Sequence, residues 1–233
     1  MNERTKAEIV EHAKLEFPRE SCGLILNVEG KEKYFPCKNI AENQSDFVLD
    51  PVDYMRAEEL GQVLSVVHSH CNISPKPSQA DRVGCEASGL PWHIVSYPNV
   101  QFETIVPSGY KAPLYGRQWS HGVLDCYSFV RDWYNYQLGI VLPDFEREPE
   151  WWKKGKNLYM DNFKSAGFEI VDGLQVGDGI LMQVGTRVVN HAGIYLGNDL
   201  FAHHAIGRLS CREVYGGYWR KITKAVVRYK GKV

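Results

Sequence analysis

The stretch HSHCNISPKPSQAD, His68–Asp81, places two histidines, a serine and an aspartate within fourteen residues. It follows LSVV, an apolar β-branched run that reads as a strand ending at the histidines. In a strand, positions i and i+2 point to the same face, so His68 and His70 can reach one ion. The run SQADRVGCEASG predicts a helix capped by Ser78 and stopped by Gly89, with Asp81 in its first turn. Two imidazoles and one carboxylate make a tetrahedral zinc set with a position left open for water. Zinc lowers the pKa of such a water and makes hydroxide available near neutral pH. A general base is then needed. Glu20, which opens the strand in PRESCGLI, is the candidate. Plainer readings stay open. Ser78 can be only a helix cap, and Glu20 only a surface carboxylate. Cys71 and Cys85 can join the histidines in a closed structural zinc site.

Around this stretch the first half alternates helices and strands. Ile9, Val10, Ala13 and Phe17 form an apolar stripe, so residues 3–16 predict an amphipathic helix. SCGLILNVEGKEKYFPCKNI reads as two strands about a turn at Gly30. PVDYMRAEELGQ predicts a helix with Pro51 in its first turn. HIVSYP and QFETIVP read as strands. From 107 to 118, PSGYKAPLYGRQ is rich in Pro, Gly and polar residues and reads as a linker.

The second half carries a different kit. DCYSFVRDWYNYQLG predicts an amphipathic helix with Cys126 at its start, and WWKKGKNLYMDNFKSAG predicts another ending at Gly167. Strands follow in DGILMQV, HAGIYLG, LFAHHA, SCREV and AVVRYK. A helix N-terminus stabilises an anion, so a thiol at Cys126 is expected to ionise easily. A nucleophilic thiolate needs an imidazole and a polar group to orient it. His191 is available at the start of one strand, and His203 or His204 at the end of the next. A hairpin can bring the two strands together, with His191 facing the helix end. The plain reading of Cys126 is a buried core thiol. His93, His121 and Cys211 receive no role, and His12 is expected to be solvated.

The fold class expected is α+β, as two small domains, 1–106 and 119–233, joined by residues 107–118. The 233 residues carry a formal net charge of −1, which gives no reason to invoke nucleic acid. No run approaches a membrane span, and the charged start MNERTKAEIVEHAKLEF lacks the apolar region of a signal peptide. The six cysteines are expected to be reduced.

His68-x-His70, Ser78 and Asp81, with the upstream PRESCGLI, resemble the JAMM motif of the JAB1/MPN/Mov34 metalloproteases over residues 1–105. The resemblance implies an MPN-like mixed sheet with flanking helices. It implies His68, His70 and Asp81 as zinc ligands, Glu20 as general acid/base, and Ser78 as oxyanion stabiliser. GVLDCYSFVRDWY, LQVGDGILM and HAGIYLGNDLFAHHA resemble the NlpC/P60 cysteine peptidases over about 110–230. That resemblance implies a papain-like domain with Cys126 as nucleophile, His191 as base and His203, twelve residues on, as orienting residue. It places an oxyanion tyrosine near Leu114, for which Tyr115 is the nearest match.

The two domains in this order resemble the tail tip assembly proteins of lambda-type phages. This implies synthesis in the host cytoplasm, tail tip proteins as partners, a place in the virion tail tip, and cleavage of peptidoglycan peptide stems. An assembly factor with silent sites, or a bacterial isopeptidase removing ubiquitin-like tags, are the alternatives.

Overall fold

The computed structural model describes residues 1–231. The chain is α+β and divides into two compact units, Met1–Lys111 and a second starting at Ala112. In the first unit the elements are α1 (Glu3–Glu16), β1 (Cys22–Val28), β2 (Lys31–Cys37), α2 (Pro51–Leu60), β3 (Gln62–Cys71), α3 (Gln79–Ser88), β4 (Trp92–Tyr97) and β5 (Phe102–Ile105). The strands form one sheet in the order β2-β1-β3-β4-β5. Only β3 and β4 are parallel; the other neighbours are antiparallel. A parallel pair needs a long crossover, and α3 supplies it.

Strand alternation sorts the core into two layers. Ile25, Val67 and Val95 pack with Ile9 and Ala13 of α1. Leu24, Leu26 and Val66 face the other way, toward Ala57 of α2 and Cys85 of α3. Each such side chain contributes roughly 1.5–3 kcal/mol when fully buried. His68 has the parity of Val66, so it lies on the α3 side of the sheet. His12 is not solvated as expected. Its Nδ1 lies 2.8 Å from Tyr34 Oη, and burial holds its pKa down.

The second unit holds α4 (Cys126–Leu138), a 3₁₀ turn at Trp151–Lys154, α5 (Leu158–Asn162), β6 (Phe168–Ile170), β7 (Gly179–Met182), β8 (His191–Gly197), β9 (Leu200–His203), β10 (Cys211–Val214), α6 (Gly217–Ile222) and β11 (Thr223–Tyr229). Its antiparallel sheet has the order β10-β9-β8-β7-β11-β6. Phe129, Val130, Trp133 and Tyr134 of α4 pack on Leu181, Ala192, Ile194, Ala202 and Val227. Ile180, Met182 and Phe201 face away, toward Tyr215, Trp219 and Ile222.

One further expectation needs correction. The helix predicted over 151–167 is broken into a 3₁₀ turn and a short helix. Gly155 takes a left-handed conformation (φ 75°) between them, which ends the first turn. The boundary between the units falls within 107–118, and this irregular segment is hydrogen-bonded at both ends. The amides of Ser108, Gly109 and Tyr110 donate to the Glu86 carboxylate in the first unit. In the second unit, Arg117 is fully buried, pairs with Asp132 of α4, and hydrogen-bonds through its amide to Ser210. A composition rich in Pro and Gly signals irregular backbone, not loose packing.

Candidate functional sites

The first site lies where β3 meets the start of α3. His68 Nε2 is 3.2 Å from Asp81 Oδ1, and His70 Nε2 is 3.3 Å from Asp81 Oδ2. The two Nε2 atoms are 3.3 Å apart. All three residues are buried. Their ligand-type atoms lie within 4.8 Å of one another.

Local structure aims each group. Phe47 stacks on the His68 ring at 4.4 Å, and Trp92 meets its edge. His70 Nδ1 lies 3.0 Å from the Ser74 carbonyl, an acceptor. Nδ1 donates to that carbonyl, and Nε2 is the nitrogen turned toward Asp81. Ser78 Oγ accepts from the Asp81 amide at 3.1 Å. Asp81 Oδ2 accepts from the Ser78 amide at 2.7 Å, completing a capping box. The cap thus orients the carboxylate. Ser78 has this cap role in the structure.

The electrostatics follow from burial and proximity. Burial would raise the Asp81 pKa, but hydrogen bonds from His68 and His70 outweigh it and hold the carboxyl well below its usual range. Burial lowers His68. Burial would also lower His70, but the bonds to Asp81 and Ser74 raise it overall. Glu20 is buried and is pushed up to about 8 by that burial. His70 opposes the rise, while Asp81 and Asp46 add to it.

Two convergent imidazole nitrogens and a carboxylate in a dry setting fit the donor set of a zinc site. Cys71 and Cys85 do not join it. Their thiols turn to the carbonyls of Arg19 and Leu90. The closed four-ligand alternative is therefore not built.

The second site lies at the N-terminus of α4. Asp125 caps the helix, its Oδ1 accepting from the Ser128 amide at 2.8 Å. Its Oδ2 accepts from Arg147 Nε at 2.7 Å and from the Gly122 amide. Cys126 follows in a cleft of about 780 Å³ lined also by His191, Tyr159 and the rings of Trp119, Trp151, Trp152 and Trp219. His121 reaches this cleft too, with its Nε2 bonded to the Arg147 carbonyl at 2.8 Å.

His191 Nε2 is 2.8 Å from His203 Nδ1. His203, not His204, is therefore the partner. His204 bonds the Arg208 carbonyl at 3.1 Å and meets the edge of Trp119. His191 lies opposite Met182 and has the parity of Gly193, which lies opposite His203. The histidine pair thus sits on the face of the sheet that turns away from α4. The thiol arrives from α4 at the strand start. There it hydrogen-bonds Tyr159 Oη at 3.1 Å and the Asn190 carbonyl at 3.9 Å, with the Ala192 amide nearby. Cys126 and His191 share the cleft without a direct hydrogen bond.

The expected easy ionisation of Cys126 is reversed. Burial and the Asp125 charge push its thiol up to about 11. The Tyr159 hydroxyl and the Ala192 amide pull the other way. Burial and His203 bring His191 down to about 3, and burial brings His203 down to about 4 against the pull of Glu213. At neutral pH the site therefore holds a thiol and neutral imidazoles.

Tyr115 is not at the thiol. Its ring packs on Phe129 and beneath the Arg212 guanidinium, 4.2 Å away. Tyr159 is the tyrosine whose hydroxyl meets the sulfur. Sequence reasoning missed it because it lies thirty-three residues after Cys126 in a short helix with no motif. It also missed Glu213, whose Oε2 is 3.4 Å from His203 Nε2. Cys211, to which no role was given, lies 3.8 Å from the same nitrogen. The signal was latent in SCREV. Cys211 pairs with His203, and Glu213 follows two residues on, on the same face. His203, Cys211 and Glu213 form a second group of ligand-type atoms within 4.8 Å. There the carboxylate already receives Arg208 and Trp219 Nε1, so it serves hydrogen bonds.

Residues 2–106 match the family model for prokaryotic homologs of the JAB domain, and residues 114–228 match the NlpC/P60 family. The chain is 42% identical to tail tip assembly protein K of Escherichia phage N15, covering 99% of this chain and 96% of that protein. It is 39% identical to tail tip assembly protein K of Escherichia phage lambda, covering 78% of this chain and 89% of that protein. Among solved structures, a JAB1/MPN domain protein from Archaeoglobus fulgidus is 22% identical. That match covers 47% of this chain and 90% of the other, with a TM-score of 0.31. No helix among the described residues is long and apolar enough to cross a membrane.

Proposed function

The chain belongs to the tail tip assembly protein K family, with a JAB-like and an NlpC/P60 domain, and we propose that it is a peptidase of the phage tail tip. Its second domain cuts peptide stems of peptidoglycan with Cys126 as nucleophile. The observation that carries this reading is the cleft that holds Cys126 beside the bonded pair His191–His203. Neutral His191 is in its basic form at neutral pH and takes the Cys126 proton as the sulfur attacks a substrate carbonyl. His203 keeps the imidazole oriented. The Tyr159 hydroxyl stands beside the sulfur, where it can donate to charge developing there. The four tryptophans give the cleft flat apolar walls for an extended substrate.

In the first domain, His68, His70 and Asp81 would hold zinc, with residues 1–106 as the functional domain. When bound, zinc would supply Lewis acidity and a water of lowered pKa. Glu20, buried beside this set, is the group placed to carry a proton there. Ser78 acts by holding Asp81, and its hydroxyl is the candidate oxyanion donor. This domain acts on amide bonds of a separate substrate. The protein meets its tail tip partners in the host cytoplasm and stays in the virion tail tip.

A second reading, an assembly factor whose cysteine site is silent, is favoured by one observation. The thiol is buried and raised to about 11.

The test is incubation with peptidoglycan fragments, with products identified by mass spectrometry, alongside Cys126→Ala and a chelator-treated sample. Cleavage lost in Cys126→Ala but kept under chelation supports the wall endopeptidase. Cleavage lost only under chelation moves the chemistry to the first domain. No cleavage in any sample favours the assembly factor.

A further inference from the structure

His191 and His203 can pass a proton usefully only if each imidazole is in one tautomer. Hydrogen-bond partners decide the tautomer, and here the chain of partners extends past His203. Its Nδ1 faces His191 Nε2 at 2.8 Å, and its Nε2 faces Glu213 Oε2 at 3.4 Å. We infer that Glu213 is a positioning residue of the cysteine site, a carboxylate that sets the tautomers of both histidines. The inference rests on the proposed roles of Cys126 and His191.

An ionised carboxylate can only accept, so His203 Nε2 must carry the proton. His203 Nδ1 is then a bare lone pair. His191 must donate to it from Nε2. The basic lone pair of His191 is thereby left on Nδ1, the nitrogen not engaged with His203. Without the carboxylate, either imidazole can take its other tautomer, and His191 Nδ1 then carries a proton in place of the basic lone pair.

Glu213 is built for this task. Trp219 Nε1 donates to its Oε2 at 2.9 Å, and Arg208 bonds its Oε1. Both partners favour the ionised form, and the Glu213 pKa is lowered although burial would raise it. Trp219 also packs its ring on His203 at 4.7 Å and on His191 at 5.9 Å. One tryptophan thus locks the carboxylate and both imidazole planes. The charged and titratable groups around His203 are Glu213 and Cys211 of β10, Arg208 in the preceding turn, His191 of β8 and the adjacent His204.

The test uses the full chain and iodoacetamide, with alkylation of Cys126 resolved from the other thiols by mass spectrometry. His191→Ala and Glu213→Gln are compared with wild type across pH. The amide of Glu213→Gln keeps the size of the carboxylate, and its nitrogen can donate to His203 instead of accepting. The inference expects Glu213→Gln to melt near wild type, to alkylate about tenfold more slowly at neutral pH, and to shift the pH profile. His191→Ala should be slow as well. If His191→Ala is slow but Glu213→Gln matches wild type in rate and profile, this inference is overturned while the cysteine–histidine reading stands. If His191→Ala itself matches wild type, that underlying reading falls. A second measurement needs no folded variant at residue 213. Nitrogen NMR of histidine-labelled wild type should show both His191 and His203 protonated at Nε2. Protonation of either at Nδ1 overturns the inference.

Discussion

Gly193 lies directly opposite His203 on the neighbouring strand, and a β-carbon at 193 would stand 3.1 Å from the His203 β-carbon. The same atom would come within 2.9 Å of the Ala202 carbonyl and 2.8 Å of Phe201. Glycine here makes room for His203 to lean diagonally toward His191. It is not a conformational requirement, because the backbone at 193 is ordinary strand. Gly193→Ala should therefore push β9 away from β8. The expected cost is about 1–3 kcal/mol, as for an overpacked core. Cys126 alkylation should slow with it. A thermal melt and an alkylation rate check both, and an unchanged rate would show that the pair tolerates the shift.

Zinc and the helix cap can be separated at the first site. Ser78→Ala removes one cap bond and should cost about 1 kcal/mol while zinc is still bound. Asp81→Asn should abolish zinc binding, because a carboxylate is exchanged for a weak donor. Zinc should raise the melting temperature of wild type and Ser78→Ala, since it binds the folded site. It should leave Asp81→Asn unmoved. Zinc content by elemental analysis, with melts in each case, decides this. Full zinc loading of Asp81→Asn would count against the assigned ligands.

Asp125 gives the second unit an acid limit. Burial would raise its carboxyl, but Arg147 and the Ser128 and Gly122 amides outweigh that and hold it below its ordinary value. The folded state thus binds fewer protons than the unfolded chain, whose carboxyl titrates near 3.9. The stabilisation is fully present above that pH and is lost as pH falls through it toward the folded value. Asp125→Asn should flatten this acid dependence. It should also cost roughly 3 kcal/mol at neutral pH, because buried Arg147 loses its main partner. Urea denaturation between pH 2 and 7 is the measurement. An equal slope in wild type and variant would remove Asp125 as the cause.

Tyr159→Phe should leave the fold intact, because the ring remains. The lost hydroxyl is a donor 3.1 Å from the sulfur that pulls the thiol pKa down. The alkylation profile of Cys126 should move to higher pH, with a rate loss of about tenfold at neutral pH, the worth of one charge-assisted bond. Tyr115→Phe should do neither, since that ring packs on Phe129 and Arg212.

His203→Ala and His204→Ala distinguish neighbours in the sequence. The first removes the partner of His191 and should slow alkylation. The second loses a bond to the Arg208 carbonyl and an edge contact to Trp119, so stability should fall while the reactive pair persists. Slower alkylation in His204→Ala alone would reverse the assignment.

The sequence by itself determined what depends on short spacing. The i, i+2 rule joined His68 to His70. The Ser78 cap brought Asp81 to them, because the first turn of a helix is geometrically rigid. The same local rules placed Cys126 at a helix start, and the β8 and β9 segments marked His191 and either His203 or His204, a choice the fold made. Tertiary structure decided the rest. Ionisation of Cys126 depends on how much water its neighbours exclude, so burial reversed the effect expected of the helix end. The sheet put the two histidines on the face away from α4, so the thiol meets Tyr159 and the Asn190 carbonyl first. Glu213, Trp219 and Tyr159 reach the site from segments far along the chain. Their placement follows from strand pairing and helix packing, which depend on the whole core and which no local spacing encodes.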